Sequence, residues 1–193
     1  GVRLVTGIEI NATSKDSEVH ILGYRLPAGP SPLTAVIEAN REARRARVGR
    51  IVAQLCEAGL AISFKDVESE AAPNASLGRP HVGKVLIRKG IVSDIDSAFR
   101  SFLRRGTPGY VPSTHITPHQ AVDVILAAGG IPVLAHPGRL RDESIIRDLA
   151  ERGLRGIEVF YPTHDANRVH HFRGIAQRYG LVMTGGSDFH DIR

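Results

Sequence analysis

The chain has 193 residues, enough for one good core or two small ones, and its 42% hydrophobic and 23% charged residues are ordinary for a globular protein, which excludes wholesale disorder. A formal net charge of +5 and a pI near 9.8 suit an anionic partner without identifying it. The single cysteine, Cys56, excludes an internal disulfide framework and fits a reducing compartment, so a cytoplasmic location is expected; no apolar run approaches membrane-spanning length and no N-terminal signal pattern is read.

Gly1 to Ile10 opens directly on strand-like residues and reads as the middle of a domain. After polar residues from Asn11 to Ser17 comes a second run, Val19 to Tyr24, so the two are either a hairpin or neighbouring barrel strands. Taken alone, Glu9 reads as a solvated strand end and His20 as a core histidine bonded to backbone. Ser31-Pro32 then caps a helix, Leu33 to Ala58, closed by Gly59. Its middle carries Arg41, Arg44, Arg45, Arg47 and Arg50, which form either a solvated face or a lip that attracts phosphates. The polar loop Ser69 to Leu77 leads into Gly78-Arg79-Pro80-His81 and a helix, Val82 to Lys89, closed by Gly90. Arg79 and His81 at that helix entrance suit an anion, because free backbone N–H groups point outward there. A third helix follows, with Ser93 as its N-cap, Asp94 and Asp96 in its first turn, Phe99, Phe102 and Leu103 as its apolar stripe and Gly106 as its stop. Residues 31–110 thus read as a helical insertion between residues 1–30 and 111–193.

From Thr117-Pro118 the order becomes regular: a helix to Ala128, a strand Ile131 to Ala135, a helix capped by Asp142, a strand Ile157 to Tyr161, a helix Asp165 to Tyr179 and a strand Leu181 to Thr184. His115 and His119 straddle the start of the first of these helices and are assigned no role. The βαβαβ order implies parallel strands, with the loops after the strands converging on one face that holds the chemistry. His136 follows one strand, Tyr161 to His164 the next, and Gly185-Gly186-Ser187-Asp188-Phe189-His190 the last. An acid and an imidazole two residues apart suit a divalent first-row cation, and in an extended segment both side chains would point to one side.

Thr6-Gly7-Ile8-Glu9-Ile10, Val19-His20-Ile21-Leu22-Gly23, Gly78-Arg79-Pro80-His81, Leu134-Ala135-His136-Pro137, Tyr161-Pro162-Thr163-His164 and Thr184-Gly185-Gly186-Ser187-Asp188-Phe189-His190 occur in an order that resembles the PHP (polymerase and histidinol phosphatase) family across nearly the whole chain. The branch it most resembles is the small stand-alone bacterial metal-dependent phosphoesterases acting on nucleoside 3′,5′-bisphosphates or on RNA 5′ ends. The resemblance implies an α/β fold, a distorted seven-stranded (β/α) barrel with a helical insertion, and up to three metal ions (Mn, Fe, Zn or Mg). It makes Glu9, His20, His136, Asp188 and His190 metal ligands. It gives Arg79 and His81 the substrate's phosphate, with His20 or His81 assisting proton transfer to the leaving oxygen, and places His164 at the rim, with a proton-transfer role open to it.

The family's His-x-His strand and the ligands that follow it would precede Gly1, so the barrel is expected to be N-terminally truncated here and the metal site incomplete. The expected consequences are weak binding of one or two ions, little phosphoesterase activity in this chain beside an active parent, and a homodimer through exposed barrel edges. The implied partners are a phosphorylated small molecule, a nucleotide or a short RNA, and no membrane. The chief alternative is a non-enzymatic module of degenerate PHP type that binds nucleic acid or a partner protein through the basic helix. A third reading, a metal hydrolase acting on C–N bonds, lacks support from Arg79, which suits phosphate better than a neutral amide.

Overall fold

A computed structural model of the chain describes residues 1, 4–14, 17–27, 29–72, 75–112 and 116–189. It divides into two compact units, residues 1–36 with 115–193 and residues 37–114.

Among the described residues, the first unit is built on five strands: β1 (Gly7–Ser14), β2 (Ser17–Tyr24), β3 (Ile131–Leu134), β4 (Gly156–Phe160) and β5 (Val182–Gly185), side by side in that order. The β1–β2 pair is an antiparallel hairpin, which decides between the two readings that the sequence leaves open. β2 and β3 are also antiparallel, and only the β3–β4–β5 half is parallel, as the alternation with α6 (Ile145–Arg152) and α7 (Ala166–Tyr179) requires. β1 runs on through Asn11 to Ser14, the first four residues of the expected turn. Ile8, Ile10 and Ala12 keep the period-two pattern on the core side, so Asn11 and Thr13 are the polar members of the same strand.

One face of this sheet is apolar. Ile10, Ala12, Val19, Ile21, Leu134, Ile157 and Val159 are buried against Val122 and Ile125 of α5 (Pro118–Ala127), Ile146 and Leu149 of α6, and Phe172 of α7. Strand alternation therefore turns Glu9, His20 and Glu158 to the other face. The helix boundaries follow their caps. Thr117 and Gln120 form a reciprocal capping box at α5, and Asp165 accepts from the Arg168 amide at α7. Asp142 is not the cap of α6. Its Oδ1 accepts from the Ser144 amide, 2.9 Å away, in a turn that precedes the helix.

The second unit contains most of α1 (Pro32–Glu57), whose first turn lies in the first unit, together with α2 (Phe64–Glu68), α3 (Arg79–Arg88) and α4 (Ile95–Ala98). Its own core gathers Val48, Ile51, Leu55, Val82, Val85, Leu86, Ala98 and Leu103. The sequence reading does not include α2, although Ser63 and Asp66 form a complete capping box at its start. The expected single helix from Ser93 is corrected in two respects. Asp94 is the cap, its Oδ1 accepting from the Ser97 amide at 2.7 Å while Ser93 Oγ donates to its other oxygen, because a carboxylate is the stronger acceptor. After Ala98 the helix widens into a π turn, Phe99–Leu103, closed by the Arg104 amide on the Phe99 carbonyl.

Candidate metal centre

Three side chains from three strands or strand ends meet on the sheet face opposite the helices. Glu9 lies within β1, His20 within β2, and His136 two residues beyond β3. Asn11, not Glu9, is directly opposite His20 in the hairpin register, so the carboxylate and imidazole are diagonal neighbours on one face. His20 Nδ1 is 2.7 Å from Glu9 Oε1, His136 Nε2 is 3.4 Å from the same oxygen, and the two ring nitrogens are 3.1 Å apart. One donor atom from each residue lies within 4.8 Å of the other two.

The electrostatics of the trio follow from this contact. Hydrogen bonds from His136 first and His20 second hold the Glu9 carboxyl well below the usual glutamate range, against the opposing effect of partial burial. Glu9 therefore stays an anion with two imidazoles against it. A carboxylate oxygen and two imidazole nitrogens so close together form a hard-to-borderline donor set that fits Mn, Fe, Zn or a similar divalent ion, and replacing the mutual contacts by bonds to one cation needs little rearrangement.

His136 occupies an unusual backbone position, φ 26 and ψ 61, immediately before the short turn Pro137–Arg139. Its amide donates to Glu158 Oε2 at 2.8 Å, and both residues are buried. Behind it stands a row of rings. His136 and Tyr161 have centroids 5.5 Å apart, Tyr161 and His164 are 5.2 Å apart, and His164 stacks 5.0 Å from Phe172 of the core.

Asp188 lies one ring away from the trio. Its Oδ2 accepts from Tyr161 Oη at 2.8 Å and pairs with the Arg139 guanidinium, Nη1 lying 3.2 Å away, and that guanidinium sits 5.3 Å over the Tyr161 ring. Burial, and then the bond to Asp188, push the Tyr161 phenol above its ordinary value. The segment is not extended at Asp188, contrary to the expected i, i+2 geometry, because that residue has φ 52 and the backbone turns there. His115 and His190 lie outside the described residues. His164 sits at the foot of the ring row, and both its ring nitrogens are taken by backbone: Nδ1 donates to the Val159 carbonyl at 2.9 Å and Nε2 accepts from the Gly138 amide at 3.2 Å. That arrangement leaves neither nitrogen open to a substrate, so His164 braces the Pro137–Arg139 turn.

Arg79 and His81 belong to the second unit, where α3 begins earlier than the sequence suggests and so includes both in its first turn. The Gly78 amide donates to His81 Nδ1 at 3.2 Å, which puts the ring proton on Nε2. The Arg79 guanidinium lies 5.4 Å over the Phe99 ring, which the π turn presents. In the basic run of α1, Arg45 pairs with Glu68 at 2.6 Å, Arg47 donates to the Val111 carbonyl at 2.9 Å, and Arg44 donates to Ser76 at 3.3 Å.

Sequence reasoning missed Glu158, Arg139 and the phenol of Tyr161. A signal for the first was present, since Glu158 is the one charge in the apolar run Ile157 to Tyr161. Arg139 was legible only as the neighbour of His136.

No family model matches the sequence. The 3′,5′-nucleoside bisphosphate phosphatase of Chromobacterium violaceum, however, is 33% identical over 195 residues, covering 98% of this chain and 68% of that protein. The chain belongs to the PHP family of metal-dependent phosphoesterases. Other PHP relatives are a phosphoribosyl 1,2-cyclic phosphate 1,2-diphosphodiesterase of Eggerthella lenta, 33% identical over 98% of this chain and 74% of its own, and the 5′-3′ exoribonuclease Rnm of Escherichia coli, 29% identical over 98% of this chain and 66% of its own. The chain thus spans about two thirds to three quarters of these curated relatives. Among solved structures, an amidohydrolase from Chromobacterium violaceum with bound sulfate and no metal superposes with a TM-score of 0.86 at 34% identity over 96% of this chain and 67% of that one. A protein from Bifidobacterium adolescentis described as a metal-dependent phosphoesterase gives 0.85 at 27% identity, over 97% of this chain and 68% of that one.

Proposed function

We propose a metal-dependent phosphoesterase of the PHP family that hydrolyses phosphate mono- or diesters of nucleotides or short RNA at a divalent metal centre whose ligands include Glu9, His20, His136, Asp188 and His190. The observation that carries the reading is the convergence of one carboxylate oxygen and two imidazole nitrogens within 4.8 Å on the polar face of the sheet. Divalent ions held by these residues would supply a nucleophilic hydroxide near neutral pH and neutralise charge on the phosphoryl oxygens. The chain's own residues hold that site. Glu9 stays ionised between two imidazoles, Tyr161 and Arg139 keep the Asp188 carboxylate in place, and the ring row links His136 to Phe172 of the core.

By the same resemblance, Arg79 grips the substrate's phosphate through its fork of N–H donors, and His81 offers a further donor from Nε2. The five strands are proposed as part of a distorted seven-stranded (β/α) barrel, with residues 31–110 as its helical insertion. Manganese is the first metal to try. A homodimer through a sheet edge and a cytoplasmic site of action complete the reading; among the described residues no helix is long and apolar enough to cross a membrane. The non-enzymatic alternative is not favoured, since three of the five arginines in the basic run of α1 are tied to residues of their own unit.

The test is manganese-supported phosphate release from a nucleoside 3′,5′-bisphosphate and nucleotide release from a 5′-phosphorylated RNA, beside an amide-hydrolysis panel. Turnover on either phosphoester that is abolished by chelation and by His136→Ala supports the proposal. Turnover confined to the amides, or unchanged in His136→Ala, would overturn it.

A further inference from the structure

We propose that Glu158 is a positioning residue that locks the His136 corner to the loop carrying Asp188, and thereby sets the affinity of the Glu9–His20–His136 cluster for a divalent cation. This rests on the metal-centre reading above.

Glu158 is only 4% exposed, a rare burial for a carboxylate, and stands on β4 between Ile157 and Val159, which face the core. Its side chain accordingly projects to the same sheet face as Glu9 and His20. One carboxylate oxygen takes the His136 amide at 2.8 Å. That residue sits at φ 26, a conformation that a side chain larger than glycine leaves readily unless something holds it, and a charge-assisted bond to its amide is such a hold. The ring follows the backbone, so the bond aims His136 Nε2 at Glu9 and His20.

The other carboxylate oxygen lies against Gly186. A Cβ at position 186 would collide with Glu158 Oε1, so a side chain there would push the carboxylate from its place. The Gly186 amide is tied to the Phe160 carbonyl at 3.1 Å, and the β4–β5 register shifts between Glu158 and Phe160. Two residues further on, Asp188 turns back to Tyr161 and Arg139. One buried carboxylate thus touches the residue that bears an imidazole ligand and the loop that bears a carboxylate ligand. The mechanism proposed above gives it no other task. Its negative charge also reaches the phenols of Tyr24 and Tyr161, helping to raise both.

Position and charge are separable, because glutamine keeps the acceptor oxygen and loses the charge. Cobalt(II) titration of the protein, followed by visible ligand-field absorption, reads affinity and coordination geometry together without any assay of turnover. Glu158→Ala is expected to weaken cobalt binding roughly 10- to 100-fold and to alter the absorption band. Glu158→Gln is expected to retain the band and most of the affinity. Gly186→Ala keeps the carboxylate but displaces it, and is expected to resemble Glu158→Ala; it carries the test if Glu158→Ala does not fold. In the wild type the His136 backbone amide should resonate far downfield in a proton–nitrogen spectrum and lose that shift in Gly186→Ala. Wild-type cobalt binding by Glu158→Ala or Gly186→Ala, with binding lost in His136→Ala, would overturn the positioning role and leave the metal centre standing. Equal loss in Glu158→Gln and Glu158→Ala would overturn it in favour of charge alone. Wild-type binding by His136→Ala would overturn the metal centre itself.

Discussion

Tyr161 donates its phenolic hydrogen to Asp188 Oδ2 at 2.8 Å, and through this bond the loop after β5 is tied to the end of β4 beside His136. Both side chains are largely buried, so the bond is one of the stronger kinds, with a neutral donor on an ionised acceptor. Tyr161→Phe keeps the ring row and removes only this link. We expect a loss of about 1–2 kcal/mol in urea unfolding, with the helix content of the folded state unchanged. A loss indistinguishable from zero would mean that Arg139 holds Asp188 unaided.

The same pair yields a titration. Burial and the bond to Asp188 both raise the Tyr161 phenol, and Arg139 opposes them. In Asp188→Asn the anionic acceptor is gone while burial remains, so the phenol should ionise at a lower pH than in the wild type but still above the ordinary tyrosine value of about 10. Ultraviolet difference absorbance follows this directly, with Tyr161→Phe identifying the signal.

Asp66 gives the second unit an acid-sensitive anchor. Hydrogen bonds from Lys89 first, and from Ser63 as the α2 cap, lower its carboxyl to about 2. A carboxyl depressed on folding stabilises the folded state above its unfolded value of about 3.9, and that contribution disappears as the pH falls through the folded value. Acid titration of stability should therefore show a falling limb between about pH 4 and pH 2 that is shallower in Asp66→Asn. Identical limbs would remove Asp66 from the account.

Each unit has its own core, and the two should respond separately to cavities. Leu149 and Leu86 are both fully buried, the first against the sheet and the second within the helical unit. Leu149→Ala and Leu86→Ala should each cost about 2–5 kcal/mol. Hydrogen exchange should report the loss in the first unit for Leu149→Ala and in residues 37–114 for Leu86→Ala. Loss of protection across both units from either change would contradict the division.

The elements most legible in the sequence were those whose signal is local and periodic. The β3–α6–β4–α7–β5 alternation, the start of α5 at Thr117-Pro118 and the long α1 are all readable from their own residues. The hairpin is not decided by the sequence because its register depends on pairing, and polar Asn11 and Thr13 hide a strand whose other face is core. Ser93 beside Asp94, and Asp142 beside Ser144, show the limit of cap reading, since adjacent acceptors compete and geometry decides. At the candidate site, Glu9, His20 and His136 were selected by family resemblance, because no spacing rule links positions 9, 20 and 136. Glu158 was missed because its partners are a backbone amide and a glycine, which leave no motif.

The central claim, that Glu9, His20 and His136 hold a divalent cation, is tested most directly by metal content. Protein loaded with manganese, freed of loosely held ions and measured by elemental analysis should retain bound metal in the wild type. It should retain clearly less in His20→Ala and His136→Ala, with both variants still folded by circular dichroism. Equal metal in wild type and both variants, or none above background in any of the three, would contradict it.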